Sequence, residues 1–142
     1  MIEFLKNPYP ESEIKESLHP LVREWFFSKF KTFSPPQRFS ILNIHKKENT
    51  LISSPTGSGK TLSAMISIIS ELITISEQGN LKDEVYCIYI SPLKALSRDI
   101  EKNLNEPLRE ITELAKDKDI KINVGTRTGD TSQYARTKMA RK

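Results

Sequence analysis

The sequence is poor in several residue types that would define other classes of protein. It contains one cysteine, Cys87, so a disulfide framework and a cysteine-based metal site are excluded and a cytoplasmic, reducing setting is expected. Cys87 itself is predicted to be a small buried core residue. The two histidines, His19 and His45, have no cluster of metal-ligating neighbours and are predicted to be structural. No apolar run approaches the roughly 20 residues of a membrane span, so no membrane partner is expected.

The charge is modest in total and uneven along the chain. Residues 126–142 contain five cations and one anion, which leaves 17 of each sign among the chain's 22 cations and 18 anions. A cationic segment of this kind suits an anionic partner such as nucleic acid. A solvated helix face would have the same composition, so both readings stay open.

The order of apolar patterns predicts an α/β fold. Helical patterns occupy 12–30, with a break near His19 and Pro20, and 37–47, and the paired prolines between them predict a turn. Buried strands are then predicted at 49–54, 84–91 and 120–126. Helices are predicted at 61–76, across 93–118 with an interruption at Pro107, and from 131 onward. Alternating strands and helices indicate a parallel sheet with flanking helices.

The segment "SSPTGSGKT" (53–61), between a predicted strand and a predicted helix, has the pattern of a phosphate-binding loop. Two glycines allow the backbone N–H groups to approach phosphate closely, and the helix start adds its positive end. Lys60 is predicted to reach the β- and γ-phosphates, and the Thr61 hydroxyl to bind Mg²⁺; these two are the predicted catalytic residues. Ser54 stands where the general pattern has glycine. The predicted phosphate-binding residues are Ser54, Thr56, Gly57, Ser58, Gly59, Lys60 and Thr61.

Three further segments narrow the class by resemblance. "SPTGSGKT" resembles motif I of superfamily 2 helicases, "SPLKALSRDI" (91–100) resembles motif Ia, and "TRTGDTS" (126–132) resembles their T-G-D segment. "FSPPQRFSI" (33–41) resembles a Q-motif region. Together with "LHPLVREWFFSKF", the pattern is similar to the large-helicase-related (Lhr-type) proteins over about residues 18–142. DEAD-box proteins, whose motif Ia has a P-T-R-E-L-A form, fit less well.

The resemblance implies a RecA-like P-loop domain that binds ATP with Mg²⁺ and contacts the nucleic-acid backbone, DNA more than RNA, in DNA repair. Gln37 would read the adenine. The implied nucleic-acid contacts are Pro92, Lys94, Arg98, Arg127, Thr128, Gly129 and Asp130. Glycine at 129 would permit a tight turn near the nucleic acid.

Each implied role has a simpler structural alternative. Gln37 could be a solvated glutamine at a helix start, and Phe33 could pack on the Trp25 helix instead of stacking on a base. Lys94 and Arg98 could be merely exposed, since their spacing on a helix serves either role. The T-G-D segment could be a plain turn in which Asp130 caps the following helix.

Hydrolysis by this class also needs the acidic pair of motif II after an apolar strand. The pair "DE" occurs here only at Asp83 and Glu84, ahead of the apolar residues of the 84–91 strand. The sequence therefore predicts an N-terminal helical segment (1–48) and a partial ATP-binding domain (49–142), whose partner is the remainder of a helicase core. Three hypotheses follow: part of an ATP-dependent helicase, a nucleotide- and nucleic-acid-binding module without turnover, or another P-loop NTPase or kinase.

Overall fold

The computed structural model describes residues 2–91, 100–116 and 119–140. The secondary structure of these residues is helical, and Glu101–Asn105 form a short π-helical segment directly before the fifth α-helix. None of the described helices is long and apolar enough to cross a membrane. The α-helices are α1 Glu11–Ser17, α2 Pro20–Lys29, α3 Pro35–His45, α4 Lys60–Glu77, α5 Glu106–Leu114 and α6 Gln133–Ala140.

The predicted break near His19 is confirmed, and its chemistry is a helix cap. Nδ1 of His19 accepts a hydrogen bond from the backbone N–H of Leu21 at 3.2 Å, and Pro20 takes the first helical position of α2. Nε2 lies 3.0 Å from a carboxylate oxygen of Glu77 near the end of α4, and the backbone N–H of His19 donates to Ser70 Oγ at 2.7 Å. His19 therefore has a structural role, joining α2 to α4.

The paired prolines begin a helix, so the predicted turn at this place was wrong. Pro35 and Pro36 occupy the first turn of α3, where their missing N–H groups would have no partner inside the helix. Ser34 and Gln37 form a capping box around them, with the Ser34 N–H donating to Gln37 Oε1 at 2.8 Å. The helix thus starts two residues earlier than the apolar pattern suggested.

Helix α4 is the centre of the core. The prediction of a helix packed between layers is confirmed in extent, since α4 runs for 18 residues and buries positions on several sides. Helix α3 packs along it, and α2 and the π-helical segment also contact it. The buried core residues are Ile14, Leu18, Val22, Trp25, Phe26, Phe33, Ile41, Leu42, Leu62, Ile66, Ile69, Ile73, Leu108 and Ile111.

The three predicted strands show no strand pairing among the described residues. Leu51 is 93% exposed, and Ile88 and Ile90 are 76% and 86% exposed, so these residues of the first two predicted strands are not buried and the predicted sheet is not confirmed. In the third segment, Ile120 and Ile122 are partly buried against the core. Cys87 is exposed as well, contrary to its predicted place in the core. A strand completes its hydrogen bonds only with a neighbouring strand, and these segments do not pair with one another.

Candidate functional site

The loop before α4 has the backbone geometry that phosphate binding needs. Gly57 and Gly59 adopt φ values of +79° and +94°, in the region that favours glycine, and α4 begins directly afterwards at Lys60. Free N–H groups of the first turn and the positive end of an 18-residue helix therefore lie next to the loop. Among the described non-glycine residues only Lys47 and Lys116 have positive φ, so Ser54 adopts a conformation that does not require glycine.

Hydrogen bonds between residues at the start and the end of the 54–61 loop hold its two ends together. The Lys60 ammonium donates to the carbonyl oxygen of Pro55 at 2.7 Å and also to that of Ser54. The hydroxyls of Ser54 and Ser58 lie 2.6 Å apart, within hydrogen-bond distance across the loop. Thr56 and Gly57, at the tip of the loop, are exposed. These two bonds use two of the three hydrogens of the ammonium, which leaves one for a phosphate oxygen.

The start of α3 holds the other side of the loop. The Ser34 hydroxyl donates to the Ser58 carbonyl oxygen at 2.7 Å. A methyl group at Gly59 would come within 2.8 Å of Gln37 Nε2 and 3.1 Å of Ser34 Oγ, so the two segments are in close contact. Gln37 is only 4% exposed, which rules out the solvated alternative for this residue. The sequence-predicted adenine reader and phosphate loop are thus brought together.

The hydroxyl of Thr61, at the start of α4, suits a metal ion that arrives bound to the nucleotide phosphates. Thr61 is the second residue of α4 and is half-buried. No group of three acidic, histidine or cysteine side chains that could hold a metal ion occurs in the described part of the chain. A single hydroxyl, with phosphate oxygens and water, is a usual ligand set for Mg²⁺, which keeps several of its waters.

Phe33 packs on α2, which decides between its two interpretations. Its ring stacks on Phe26 with centroids 4.6 Å apart and meets Phe27 edge-on at 5.3 Å. The side chain is 3% exposed and belongs to the core. It therefore supports the segment that holds Ser34 and Gln37.

The T-G-D segment forms a turn in front of α6. The Thr131 N–H donates to the Thr128 carbonyl oxygen at 3.2 Å, and the Thr128 N–H donates to Thr131 Oγ1 at 2.8 Å. Ser132, directly before α6, is a cap acceptor of this helix: its Oγ accepts from the Ala135 N–H at 3.3 Å. Gly129 has no positive φ, and a methyl group there would meet nothing within 4 Å, so this turn does not require glycine.

The guanidinium of Arg136 lies against this turn. Its Nε donates to the Thr131 carbonyl oxygen at 2.9 Å, and Nη2 donates to those of Gly129 at 2.8 Å and Thr128 at 3.3 Å. Arg127, Thr128, Gly129 and Asp130 are exposed. The predicted motif Ia contacts Pro92, Lys94 and Arg98 lie outside the described residues.

Two residues of these sites were not singled out from the sequence. Ser34 could have been recognised, because a serine three positions before glutamine at a helix start is the pattern of a capping box. Arg136 was counted only as one cation of a basic segment. Its contact with the turn depends on how α6 is placed, and no local pattern indicates that.

Comparison with known proteins gives a family match over most of the chain. The model of the DEAD/DEAH box helicase family matches residues 34–142. This match implies the RecA-like P-loop fold expected from the resemblance, although the described residues contain no strand. No solved structure matches the chain.

The relatives carry the names that the resemblance predicted. The chain is 53% identical to "ATP-dependent helicase Lhr-Core protein 2" of Thermococcus barophilus and 51% identical to "ATP-dependent helicase Lhr-Core" of Methanothermobacter thermautotrophicus, in each case over 100% of this chain and 17% of the relative. It is 33% identical to "Lhr helicase/uracil glycosylase" of Escherichia coli, over 95% of this chain and 9% of the relative. The chain thus spans about a sixth of the length of the Lhr-Core relatives. On the family match, the chain belongs to the DEAD/DEAH box helicases.

Proposed function

We propose that this chain forms the ATP-gripping and nucleic-acid-contacting part of an ATP-dependent helicase or translocase. The observation that carries the proposal is the loop at 54–61, with two left-handed glycines and Lys60 at the start of a long helix, held by the capped start of α3. The names of the three relatives given above, two ATP-dependent helicases and one Lhr helicase, support the same activity.

In this proposal the loop exchanges its internal bonds for bonds to nucleotide. Lys60 leaves the carbonyls of Ser54 and Pro55 and pairs with the β- and γ-phosphates, while backbone N–H groups of 57–61 surround them. The Thr61 hydroxyl would be one ligand of Mg²⁺, and the ion would neutralise charge on the phosphates. Gln37 keeps two amide hydrogens and one oxygen lone pair beyond its bond to Ser34, enough for a bidentate contact with adenine.

The nucleic-acid backbone is proposed to contact motif Ia and the T-G-D turn. Arg127 and the turn at 128–130 are exposed, so they are accessible to a strand. The motif Ia residues Pro92, Lys94 and Arg98 are proposed on the resemblance alone. DNA is proposed over RNA on the resemblance to the Lhr-type proteins, one of which is named "Lhr helicase/uracil glycosylase".

The remaining parts of the reaction belong to the longer protein. The acid of motif II and the second lobe of the helicase core are proposed to lie outside these residues, as are the groups that would complete a partial domain at 49–142. Binding of nucleotide without turnover is accordingly expected for the 142-residue polypeptide by itself. Phosphate release from that polypeptide above background, lost in Lys60→Ala, would contradict this part of the proposal.

The test of the whole proposal is Lys60→Ala in the full-length protein. Polynucleotide-stimulated ATP hydrolysis should fall to background, since removal of the ammonium leaves the γ-phosphate charge uncompensated. Lys31→Ala, which removes an exposed cation before α3, serves as the control and should hydrolyse ATP at the parental rate. Unchanged ATP turnover in Lys60→Ala would contradict the proposal. Phosphoryl transfer to a small acceptor, unaffected by polynucleotide, would favour a kinase instead.

A further inference from the structure

The side chain of Arg136 donates hydrogen bonds to the T-G-D turn. Three hydrogen bonds run from its guanidinium to the carbonyl oxygens of Thr128, Gly129 and Thr131. These use Nε–H and both hydrogens of Nη2, which are three of the five donors of an arginine. The side chain is half-buried, whereas Arg127, directly before the turn in the sequence, is exposed.

The arrangement requires the shape of arginine in addition to its charge. Three carbonyl oxygens of one turn converge on a planar fork whose donors point in fixed directions. A lysine ammonium is a point charge with three donors on one nitrogen, and it cannot span the same set of acceptors. The turn's own bonds, from Thr131 N–H to the Thr128 oxygen and from Asp130 N–H to Thr128 Oγ1, leave the Gly129 oxygen to this guanidinium.

We infer that Arg136 is a positioning residue for nucleic-acid binding, which fixes the T-G-D turn so that the turn and Arg127 present one defined surface to the phosphate backbone. This inference rests on the proposed function and adds a residue to it. The alternative for Arg136, suggested by the basic composition of 126–142, is a direct phosphate contact. That contact would have to use Nη1 alone or break bonds to the turn.

Charge and shape can be separated by substitution in the full-length protein. Arg136→Lys keeps the charge and loses the fork, Arg136→Gln loses both, and Arg127→Gln removes the exposed cation of the turn. Lys138→Gln removes an exposed cation from the same helix and is the matched control. The measured quantity is the affinity for a fluorescein-labelled single-stranded oligo(dT) over a series of salt concentrations.

A positioning role predicts that both Arg136 variants weaken binding at fixed salt by roughly ten- to a hundredfold, the range expected when hydrogen bonds to a charged group are lost. The slope of log K against log salt should be the same in both Arg136 variants, because a positioning side chain acts through its hydrogen bonds to the turn and not through its own charge on a phosphate. Arg127→Gln should instead reduce that slope by about 0.7, the value for one phosphate on a single strand. Affinity for a fluorescent ATP analogue should stay within about twofold in all variants, since a defect confined to the turn leaves the 54–61 loop intact.

Two results would overturn the inference. A slope reduced by about 0.7 in Arg136→Gln, with parental affinity in Arg136→Lys, would show a direct phosphate contact through charge. Parental affinity in both Arg136 variants would show that the turn does not need this side chain. Failure of the proposed function looks different: the unsubstituted protein would not bind oligo(dT), or Lys60→Ala would retain stimulated hydrolysis.

Discussion

At position 54 a serine stands where the general phosphate-loop pattern has glycine, and the backbone explains why it is tolerated. Ser54 has no positive φ, so a side chain costs no strain there. Its hydroxyl is used across the loop, 2.6 Å from that of Ser58. The two glycines that the loop does require are Gly57 and Gly59, both with positive φ.

Gly59 should be the most sensitive glycine of the loop. In Gly59→Ala the new methyl group meets Gln37 Nε2 at 2.8 Å and Ser34 Oγ at 3.1 Å, and the backbone at φ +94° disfavours a side chain. We expect a loss of about 1–3 kcal/mol in the free energy of unfolding and weaker binding of nucleotide. Denaturant unfolding and titration with a fluorescent ATP analogue measure these two effects.

The control for this substitution is Gly125→Ala. Gly125 has no positive φ, and its methyl group would make only an ordinary contact, 3.8 Å from Met139 Cε. It should change neither quantity measurably. Equal effects of the two substitutions would show that the contact between α3 and the loop is not the cause.

Among contacts between helices, Glu110 of α5 accepts hydrogen bonds from two side chains of α2. Its Oε2 accepts from Trp25 Nε1–H at 2.5 Å, and its Oε1 accepts from Lys29 Nζ at 2.9 Å. The hydrogen bond from Trp25, followed by that from Lys29, holds the pKa of Glu110 below its ordinary value of 4.5. Because the folded state favours the carboxylate, this contribution to stability is complete above about pH 4.5 and is lost as the pH falls through the lowered pKa.

Glu110→Gln should therefore have a pH-dependent effect on Tm. The variant should melt below the parent near neutral pH, and the difference should shrink as the parent's carboxylate becomes protonated in acid. Thermal unfolding of the 142-residue polypeptide, followed by circular dichroism across this pH range, gives the comparison. Glu113→Gln, an exposed carboxylate on the same helix, should show no such trend. A difference in Tm that is constant across the pH range would contradict the assignment.

Across the described parts of the molecule, the helices and the predicted 84–91 strand differ in how far their apolar residues are buried. Helices α1 to α4 bury their apolar faces against one another, whereas the 84–91 segment leaves Val85, Ile88 and Ile90 exposed at 64%, 76% and 86%. An exposed run of β-branched residues is uncommon on a soluble protein and is normally covered by other parts of the structure.

Two substitutions compare an exposed residue of the 84–91 segment with a buried residue of α4. Ile90→Thr should change the free energy of unfolding of the 142-residue polypeptide by no more than about 0.5 kcal/mol, as at other exposed positions. Ile69→Thr, at a position in α4 that is 0% exposed, should cost about 2–4 kcal/mol, because it removes buried apolar volume and buries a hydroxyl. Denaturant unfolding measures both. A cost for Ile90→Thr equal to that for Ile69→Thr would show that the 84–91 segment is packed.

The sequence by itself determined several helices and the backbone form of the 54–61 loop. A helix closes its hydrogen bonds within its own segment, so the break at His19, the extent of α4 and the loop at 54–61 could be predicted from local patterns. The start of α3 was misplaced only because paired prolines were taken as a turn instead of a first helical turn.

Tertiary structure decided what depends on groups distant in the chain. Strand segments need partners from elsewhere, so their apolar patterns alone could not fix whether they pair. The same holds for side chains that act across segments: Ser34 reaches the Ser58 carbonyl 24 residues away. Arg136 was a basic residue in the sequence, and only the placement of α6 against the T-G-D turn directed its guanidinium to three carbonyl oxygens. Local patterns specify which groups are available, and the packing of the elements specifies which of them meet.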